Sequence, residues 1–139
     1  MKFLDLNGLK HLLKFIDKPV IVATSNCVVN TESIRKIPFI TNHQIISMDV
    51  SGSIDVFNWL KDASEGGILE IVFAGAKGGY VYCVNQGTSL MYQMKNGQQG
   101  PQLTKFDYLN TTFDTYARLI KLNGRLIVAE FVTNKQIKN

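Results

Sequence analysis

Two strand-sized segments near the C-terminus, residues 117–121 and 125–132, are separated only by Leu122-Asn123-Gly124. Asn-Gly favours the two-residue type I′ turn, because both residues adopt positive φ at low cost. Valine, isoleucine and phenylalanine, which make up half of the second segment, are enriched in strands. The sequence therefore predicts a β-hairpin here and a chain organised around β-sheet.

The second strand of this hairpin is apolar on both faces. Residues 126–132 contain one charged side chain, Glu130. In a small antiparallel domain one face of a sheet usually meets water. Two explanations stay open: the strand lies in the centre of a sandwich, or another subunit covers its second face.

Short β-branched segments also fill the chain after Pro19. They predict strands near residues 20–24, 27–29, 38–40, 44–50, 68–74, 80–84 and 90–94. Asn85-Gln86-Gly87-Thr88 predicts a hairpin turn, and residues 96–101 predict a glycine- and glutamine-rich loop. No repeat of 20–50 residues is visible.

One helix is predicted within this β region, at residues 54–63. Val56, Trp59 and Leu60 would share a face, Ser53 would cap the start, and Asp55 would lie in the first turn. The expected fold class is mainly β (α+β), with a compact antiparallel β-sandwich-like domain over residues 19–139 and one inserted helix.

The first 18 residues follow a different, helical period. One apolar stripe is formed by Leu6, Leu9, Leu12, Leu13 and Ile16. Asp17-Lys18-Pro19 ends the pattern, because a residue before proline disfavours helix. A helix this short is unstable alone in water. The sequence predicts an amphipathic arm over residues 1–18 that anchors or oligomerises the protein.

Composition narrows the classes of function. The 139 residues fit one domain. The net charge is +4 without a basic cluster on one element, so no nucleic-acid partner is expected. No apolar stretch reaches membrane-spanning length, so no membrane insertion is expected.

Charged residues make up 19% of the chain, whereas about 25% is usual. The 34 Asn, Gln, Ser and Thr residues suit subunit or glycan contacts.

Side-chain chemistry predicts no catalytic residue, no metal site and no cofactor. The two histidines and two cysteines have no ligand spacing, and Cys27 and Cys83 are expected to be free thiols in the core. Asp49 and Asp55, or Asp107 and Asp114, could form a glycosidase pair, but caps and turns explain them more simply. Tyr80 and Tyr82 share a strand face and, with Tyr92, are the candidate ligand-facing residues.

The first sixteen residues, MKFLDLNGLKHLLKFI, resemble a segment found at the N-terminus of many tailed-phage virion structural proteins of fibre, tail-associated or capsid-decorating type. The pattern reads aromatic-Leu-Asp-x-x-Gly-Leu-x-x-[Leu/Phe]-x-x-x-Ile. It is matched by Phe3, Leu4, Asp5, Gly8, Leu9, Leu12 and Ile16, whereas Leu13 replaces a frequent aromatic. The resemblance implies a bacteriophage virion component that forms a homo-oligomer, often a homotrimer.

Together these features predict a non-enzymatic structural component of a bacteriophage particle, either a head or tail fibre or a decoration subunit. Its partners would be further copies of itself and other virion proteins, and its location the virion after synthesis in the bacterial cytoplasm. One alternative is a carbohydrate- or receptor-binding module that contacts a host-surface glycan. A small glycoside hydrolase is the other.

Overall fold

The computed structural model describes residues 19–73, 79–107 and 115–133. Two facing sheets contain most of these residues. The large sheet holds, in spatial order, β1 (Val20–Ala23), β3 (His43–Ser47), β5 (Ile68–Val72), β12 (Thr115–Leu122), β13 (Arg125–Thr133), β9 (Met91–Lys95) and β10 (Gln98–Leu103). The small sheet holds β11 (Phe106–Asp107), β6 (Tyr80–Tyr82), β4 (Ser53–Asp55) and β2 (Ile34–Lys36). A separate ribbon pairs β7 (Val84–Asn85) with β8 (Thr88–Ser89). The helix α1 spans Phe57–Asp62, and a 3₁₀ turn spans Thr24–Asn26.

From β1 to β6 the chain passes alternately from the large sheet to the small sheet. Within each sheet the successive strands are parallel, β1 to β3 to β5 and β2 to β4 to β6. We call each passage of the chain from the large sheet through the small sheet and back one coil. Val20 pairs with Gln44, and Gln44 with Leu69, so the two coils have periods of 24 and 25 residues. Together the two coils form a flattened spiral with one sheet on each side.

The mainly β prediction is confirmed, but the antiparallel arrangement is wrong for these coils. Five of the ten ladders among the described strands are parallel, and the sheets are mixed. Each coil returns to the large sheet through the small one, so its strands run in the same direction. Alternation of polar and apolar residues marks a strand without fixing its direction.

The core lies between the two sheets and is built from residues in register. Val22, Ile46, Ile71 and Ala117 form one row across four strands of the large sheet, each at most 9% exposed. The small sheet contributes Ile54 and Val81, and α1 contributes Trp59 and Leu60.

The helix α1 is fixed to the large sheet by polar contacts at its C-terminal end. Lys121 Nζ donates hydrogen bonds to the carbonyl oxygens of Leu60, at 2.7 Å, and Ala63, at 2.6 Å. These carbonyls have no partner within the helix, so a cation here stabilises its end.

The predicted helix over 54–63 is too long at its start. Ile54 and Asp55 belong to β4, because Ile54 fills the core between Arg35 of β2 and Val81 of β6. Asp55 lies before the helix and accepts a hydrogen bond from the Phe57 backbone N–H at 2.9 Å. Asp55, and not Ser53, therefore satisfies a free N–H at the helix start.

Two predicted strands are absent from the described residues. Residues 38–40 instead wrap around the buried side chain of Gln44, whose Nε2 donates to Pro38 O at 2.8 Å and whose Oε1 accepts from Ile40 N at 2.8 Å. Residues 27–29 contribute one isolated bridge, from Val29 to Arg35. Side-chain hydrogen bonds compete here with strand pairing.

The predicted loop over 96–101 is wrong, because residues 98–103 form β10. Asn96 and Gly97 have φ of 52° and 74°, which makes a tight turn between β9 and β10. The same geometry, 54° and 72°, occurs at Asn123 and Gly124, so the predicted C-terminal hairpin is confirmed. Its second strand, β13, lies between β12 and β9.

Candidate functional site

The outer face of the large sheet combines aliphatic side chains with a cluster of hydrogen-bonded polar ones. Alternation along each strand directs every second side chain away from the core. We define the outer face by ten residues of β1, β3, β5, β12 and β13: Ile21, His43, Ile45, Ile68, Glu70, Val72, Tyr116, Arg118, Ile120 and Glu130.

Aliphatic side chains occupy half of these positions. Ile21 is 67% exposed and Val72 37% exposed, and Ile45, Ile68 and Ile120 are partly exposed. Residues of the opposite face, such as Ile46 and Leu69, are fully buried. At these positions the second face of the sheet is thus apolar without being covered to the same extent, whereas Ile127, the register partner of Ile120 on β13, is 1% exposed.

A hydrogen-bonded polar cluster lies in the middle of this face. His43 Nε2 lies 2.6 Å from Glu70 Oε2, and the Tyr116 hydroxyl donates to Glu70 Oε1 at 2.5 Å. The three residues come from β3, β5 and β12. Both carboxylate oxygens of Glu70 are therefore engaged, which suits a fixed structural anion better than a nucleophile.

The pKa values in the cluster agree with that geometry. Burial favours the neutral form of Glu70, but the hydrogen bonds from Tyr116 and His43 outweigh it and lower the pKa of this carboxyl. Burial, together with the hydrogen bond to Glu70, raises the pKa of Tyr116 to about 12. The charged carboxylate and the neutral phenol are thus the stable pair.

Arg118 and Glu130 extend the polar row toward β13. Arg118 pairs in register with Glu70 on one side and with Glu130 on the other. Arg118 Nη2 lies 3.8 Å from Glu130 Oε2, and the two side chains are 44% and 46% exposed. Across the sheet, one row of residues in register therefore begins with two aliphatic side chains and continues with alternating charges. Its members are Ile21, Ile45, Glu70, Arg118 and Glu130.

A second apolar surface lies at the first coil. β1 is an edge strand of the large sheet, whereas the outer edge of β2 in the small sheet is paired with residues 28–30. Ile21 on β1 is exposed, and so are Val28, at 76%, and Val29, at 45%. An exposed edge with apolar side chains is a surface on which further chain can pair.

The two candidate carboxylates belong to separate networks. Asp49 accepts hydrogen bonds from Thr24 Oγ1 at 2.9 Å and from the backbone N and Oγ of Ser25, at 2.9 and 2.5 Å. The side-chain bond from Ser25, followed by its backbone bond, lowers the pKa of Asp49 to about 2. Asp55 forms an ion pair with Lys36 at 3.0 Å. Both carboxylates hold local structure in place. Of the second candidate pair, Asp107 belongs to β11 and Asp114 lies outside the described residues.

The structure brings together two of the three candidate tyrosines. The rings of Tyr80 and Tyr82 lie 6.1 Å apart on the outer side of β6, and Lys105 Nζ lies 3.8 Å from the centre of the Tyr80 ring. Tyr92 lies on β9 of the other sheet, where the Arg125 guanidinium is 5.3 Å from its ring centre. Tyr92 therefore does not join the same surface.

Other sequence expectations concern metal and thiol chemistry. Within residues 19–73, 79–107 and 115–133, no group of three or more His, Cys, Asp and Glu side chains could hold a metal ion. Cys27 and Cys83 are free and buried, as predicted, and burial raises the pKa of both thiols. The stripe of Leu6, Leu9, Leu12, Leu13 and Ile16 lies outside the described residues.

Comparisons with known proteins identify no similar protein. It matches no protein-family model, no curated protein and no solved structure. Among the described helices none is long and apolar enough to cross a membrane.

Sequence reasoning missed the cluster of His43, Glu70 and Tyr116. The available signal was the alternation within each strand, which places these residues on the face opposite Gln44, Leu69 and Ala117. Their proximity depends on the order β3, β5, β12, and strands 5 and 12 are separated by more than forty residues. Local patterns do not encode that pairing.

Proposed function

We propose that this protein is a non-enzymatic structural subunit of a bacteriophage particle, of fibre or decoration type, that assembles as a homo-oligomer. In this proposal residues 1–18 form an amphipathic helical arm and the two-sheet body presents the assembly surface. The observation that supports it best is the apolar outer face of the large sheet.

The argument for assembly rests on what this face would gain by being covered. A sheet with one face in water normally carries polar residues on that face. Here Ile21, Ile45, Ile68, Val72 and Ile120 occupy outward positions. Full burial of one such side chain contributes roughly 1.5–3 kcal/mol, and less where it is already half-buried. Several together offset part of the loss of rotational and translational freedom that association costs.

The virion assignment rests on the resemblance of residues 1–16, so it needs its own test. Phage particles from a lysate of cells that produce this chain are purified on a density gradient, and their proteins are identified by peptide mass spectrometry. We expect peptides of this chain at a fixed ratio to the major particle proteins. Their removal by a high-salt wash, or their absence from the particle band, would contradict the assignment.

A glycan-binding module is the second candidate, and the Tyr80–Tyr82 pair favours it. Adjacent aromatic rings on an outer face offer a stacking surface to sugars, although Lys105 covers one side of Tyr80. A glycan array with the wild type and with Tyr82→Ala tests it, with Tyr92→Ala on the other sheet as the matched control. Glycan binding lost only in Tyr82→Ala would make this candidate the better one.

A further inference from the structure

We infer that the outer face binds the outer face of a second copy of this chain, so that Arg118 of each copy meets Glu130 of the other. The two copies would be related by a twofold axis that runs along the strands between β12 and β13. This inference rests on the proposed function, because it names the partner and the contact of the same surface.

The alternating charges select both the partner and the axis. Arg118 and Glu130 are register partners on adjacent strands and therefore lie at the same level of the sheet. A twofold axis between those strands places β12 of one copy opposite β13 of the other, so that each arginine faces a glutamate. An axis along β12 would instead bring Arg118 against Arg118. An axis between β5 and β12 would bring it against Glu70, whose two carboxylate oxygens are already engaged by His43 and Tyr116. In a twofold contact the same patch must be its own complement, and this charge pair meets that condition.

The apolar residues are consistent with the same axis. Ile68, Ile120, Ile127 and Tyr92 form one level across β5, β12, β13 and β9. Ile127 is 1% exposed and thus buried within its own chain, so Ile68 and Ile120 are the aliphatic residues of this level that a second copy can cover. The axis that pairs β12 with β13 also places β5 opposite β9. Ile68 then lies opposite the Tyr92–Arg125 pair of the second copy. Two twisted sheets pack face to face at about 30°, so contacts closest to the axis are the most directly determined.

The ion pair within one chain leaves room for a stronger one between chains. At 3.8 Å, Arg118 and Glu130 form an exposed contact longer than a hydrogen bond. Exposed pairs of this kind contribute little. Between two covered faces, a guanidinium and a carboxylate can form two parallel, charge-assisted hydrogen bonds.

The arm of the same chain, residues 1–18, is the main alternative to a second copy as the group that covers the outer face. Residue 19 adjoins β1, which lies three strands away from β12. Three strand spacings are about 14 Å, a distance that an 18-residue segment can cover. The helical pattern predicted for the arm places Lys10, His11 and Lys14 opposite its leucines and thus does not reproduce the alternating pair on β12 and β13.

Charge reversal in the full chain tests the inference. Arg118→Glu alone, or Glu130→Arg alone, places two like-charge pairs in the contact. Each variant should halve the mass of the assembly and weaken the association at least about tenfold. Mass is measured by light scattering after gel filtration, and circular dichroism checks the fold. Glu32→Arg, a charge reversal at an exposed residue of the turn before β2, is the control and should leave the mass unchanged.

The decisive experiment mixes the two single variants. One copy then contributes two glutamates and the other two arginines, so the contact should re-form between different copies and restore the full mass. The double variant Arg118→Glu/Glu130→Arg should also restore it. Restoration by the double variant without restoration by mixing would mean that the pair acts only within one chain, and would overturn the inference.

The remaining outcomes separate this inference from the proposed function. If the wild type assembles and the reversals leave its mass unchanged, the second copy does not dock on this face, and the proposed function stands. If Leu9→Asp with Leu13→Asp alone yields monomers, the arm joins the copies and the inference fails. If the wild type is a monomer, both this inference and the proposed homo-oligomer fail.

Discussion

Glu70 holds three strands together at the level of single side chains. Its two oxygens accept hydrogen bonds from Tyr116 on β12 and from His43 on β3. A charged acceptor strengthens such bonds, and partial burial protects them from competition by water. The cluster should therefore contribute to the stability of the body whether or not the outer face is covered.

Tyr116→Phe tests this contribution through its pH dependence. The pKa of Tyr116 rises from 10.0 to about 12 on folding. A raised pKa means that the hydroxyl contributes stability that is fully present below pH 10 and is lost as pH rises toward 12. Urea unfolding should show the variant less stable by about 1 kcal/mol at pH 8, with the difference shrinking above pH 10. Tyr92→Phe is the control; a Tyr116→Phe difference that stays constant to pH 12 would contradict the prediction.

Asp49→Asn tests the opposite sign. The pKa of Asp49 falls from 3.8 to about 2 on folding, because Ser25 and Thr24 donate hydrogen bonds to its carboxylate. Its contribution is present above pH 3.8 and is lost as pH falls toward 2. Asp49 is exposed, so solvent limits the effect to about 0.5–1 kcal/mol. Thermal unfolding from pH 2 to pH 7 should show the deficit of Asp49→Asn vanish at the acid end. Asp62→Asn serves as the matched variant without such donors, and an equal deficit in both would refute the assignment.

The strands illustrate which elements local sequence could predict. β1, β3, β5 and the β12–β13 hairpin were predictable because β-branched residues, alternation and an Asn-Gly turn coincide there. β4 was not, because Ile54 and Asp55 fit a helical pattern and become strand only through pairing with Arg35 and Tyr82. β10 was missed because its glycine and glutamines have low strand propensity, and the Asn96-Gly97 turn supplies its pairing.

Ile46 and Ile45 provide a matched test of the two faces of β3. Ile46 is fully buried in the coil, whereas Ile45 points outward and is partly exposed. Ile46→Ala should lower the free energy of unfolding by about 2–5 kcal/mol, because it removes buried methyl groups and leaves a cavity. Ile45→Ala should cost clearly less. Guanidinium unfolding at a concentration where the protein is dissociated measures both, and equal losses would show that the outer face is packed like the core.

At the scale of the whole molecule, the coils show why the order and direction of the strands could not be predicted from the sequence. Their 24- and 25-residue periods leave no visible repeat, because each coil must only supply one inward residue at the right place, such as Val22, Ile46 and Ile71. Mixed sheets and strand order depend on contacts distant in sequence. The outer face emerges only once that order is known, so the candidate site could not be predicted as a surface.

The division of the chain at residue 18 predicts a separable arm. Leu9→Asp with Leu13→Asp should leave the β signal in circular dichroism unchanged, because the body has its own core. It should remove the association that depends on the arm and leave pairs of copies joined by the outer face. Each substitution removes an apolar contact and adds the desolvation cost of a carboxylate. Lys10→Asp with Lys14→Asp, on the polar side of the same segment, is the control. Complete unfolding of the leucine variant would show that the arm belongs to the core.

The mass of the wild-type protein in solution tests the central claim of self-association most directly. Sedimentation equilibrium over a range of micromolar concentrations should give at least twice the 15.6 kDa of one chain, with the mass decreasing on dilution as a reversible association requires. A constant mass of one chain over the whole range would contradict the proposed homo-oligomer and the role assigned to the outer face.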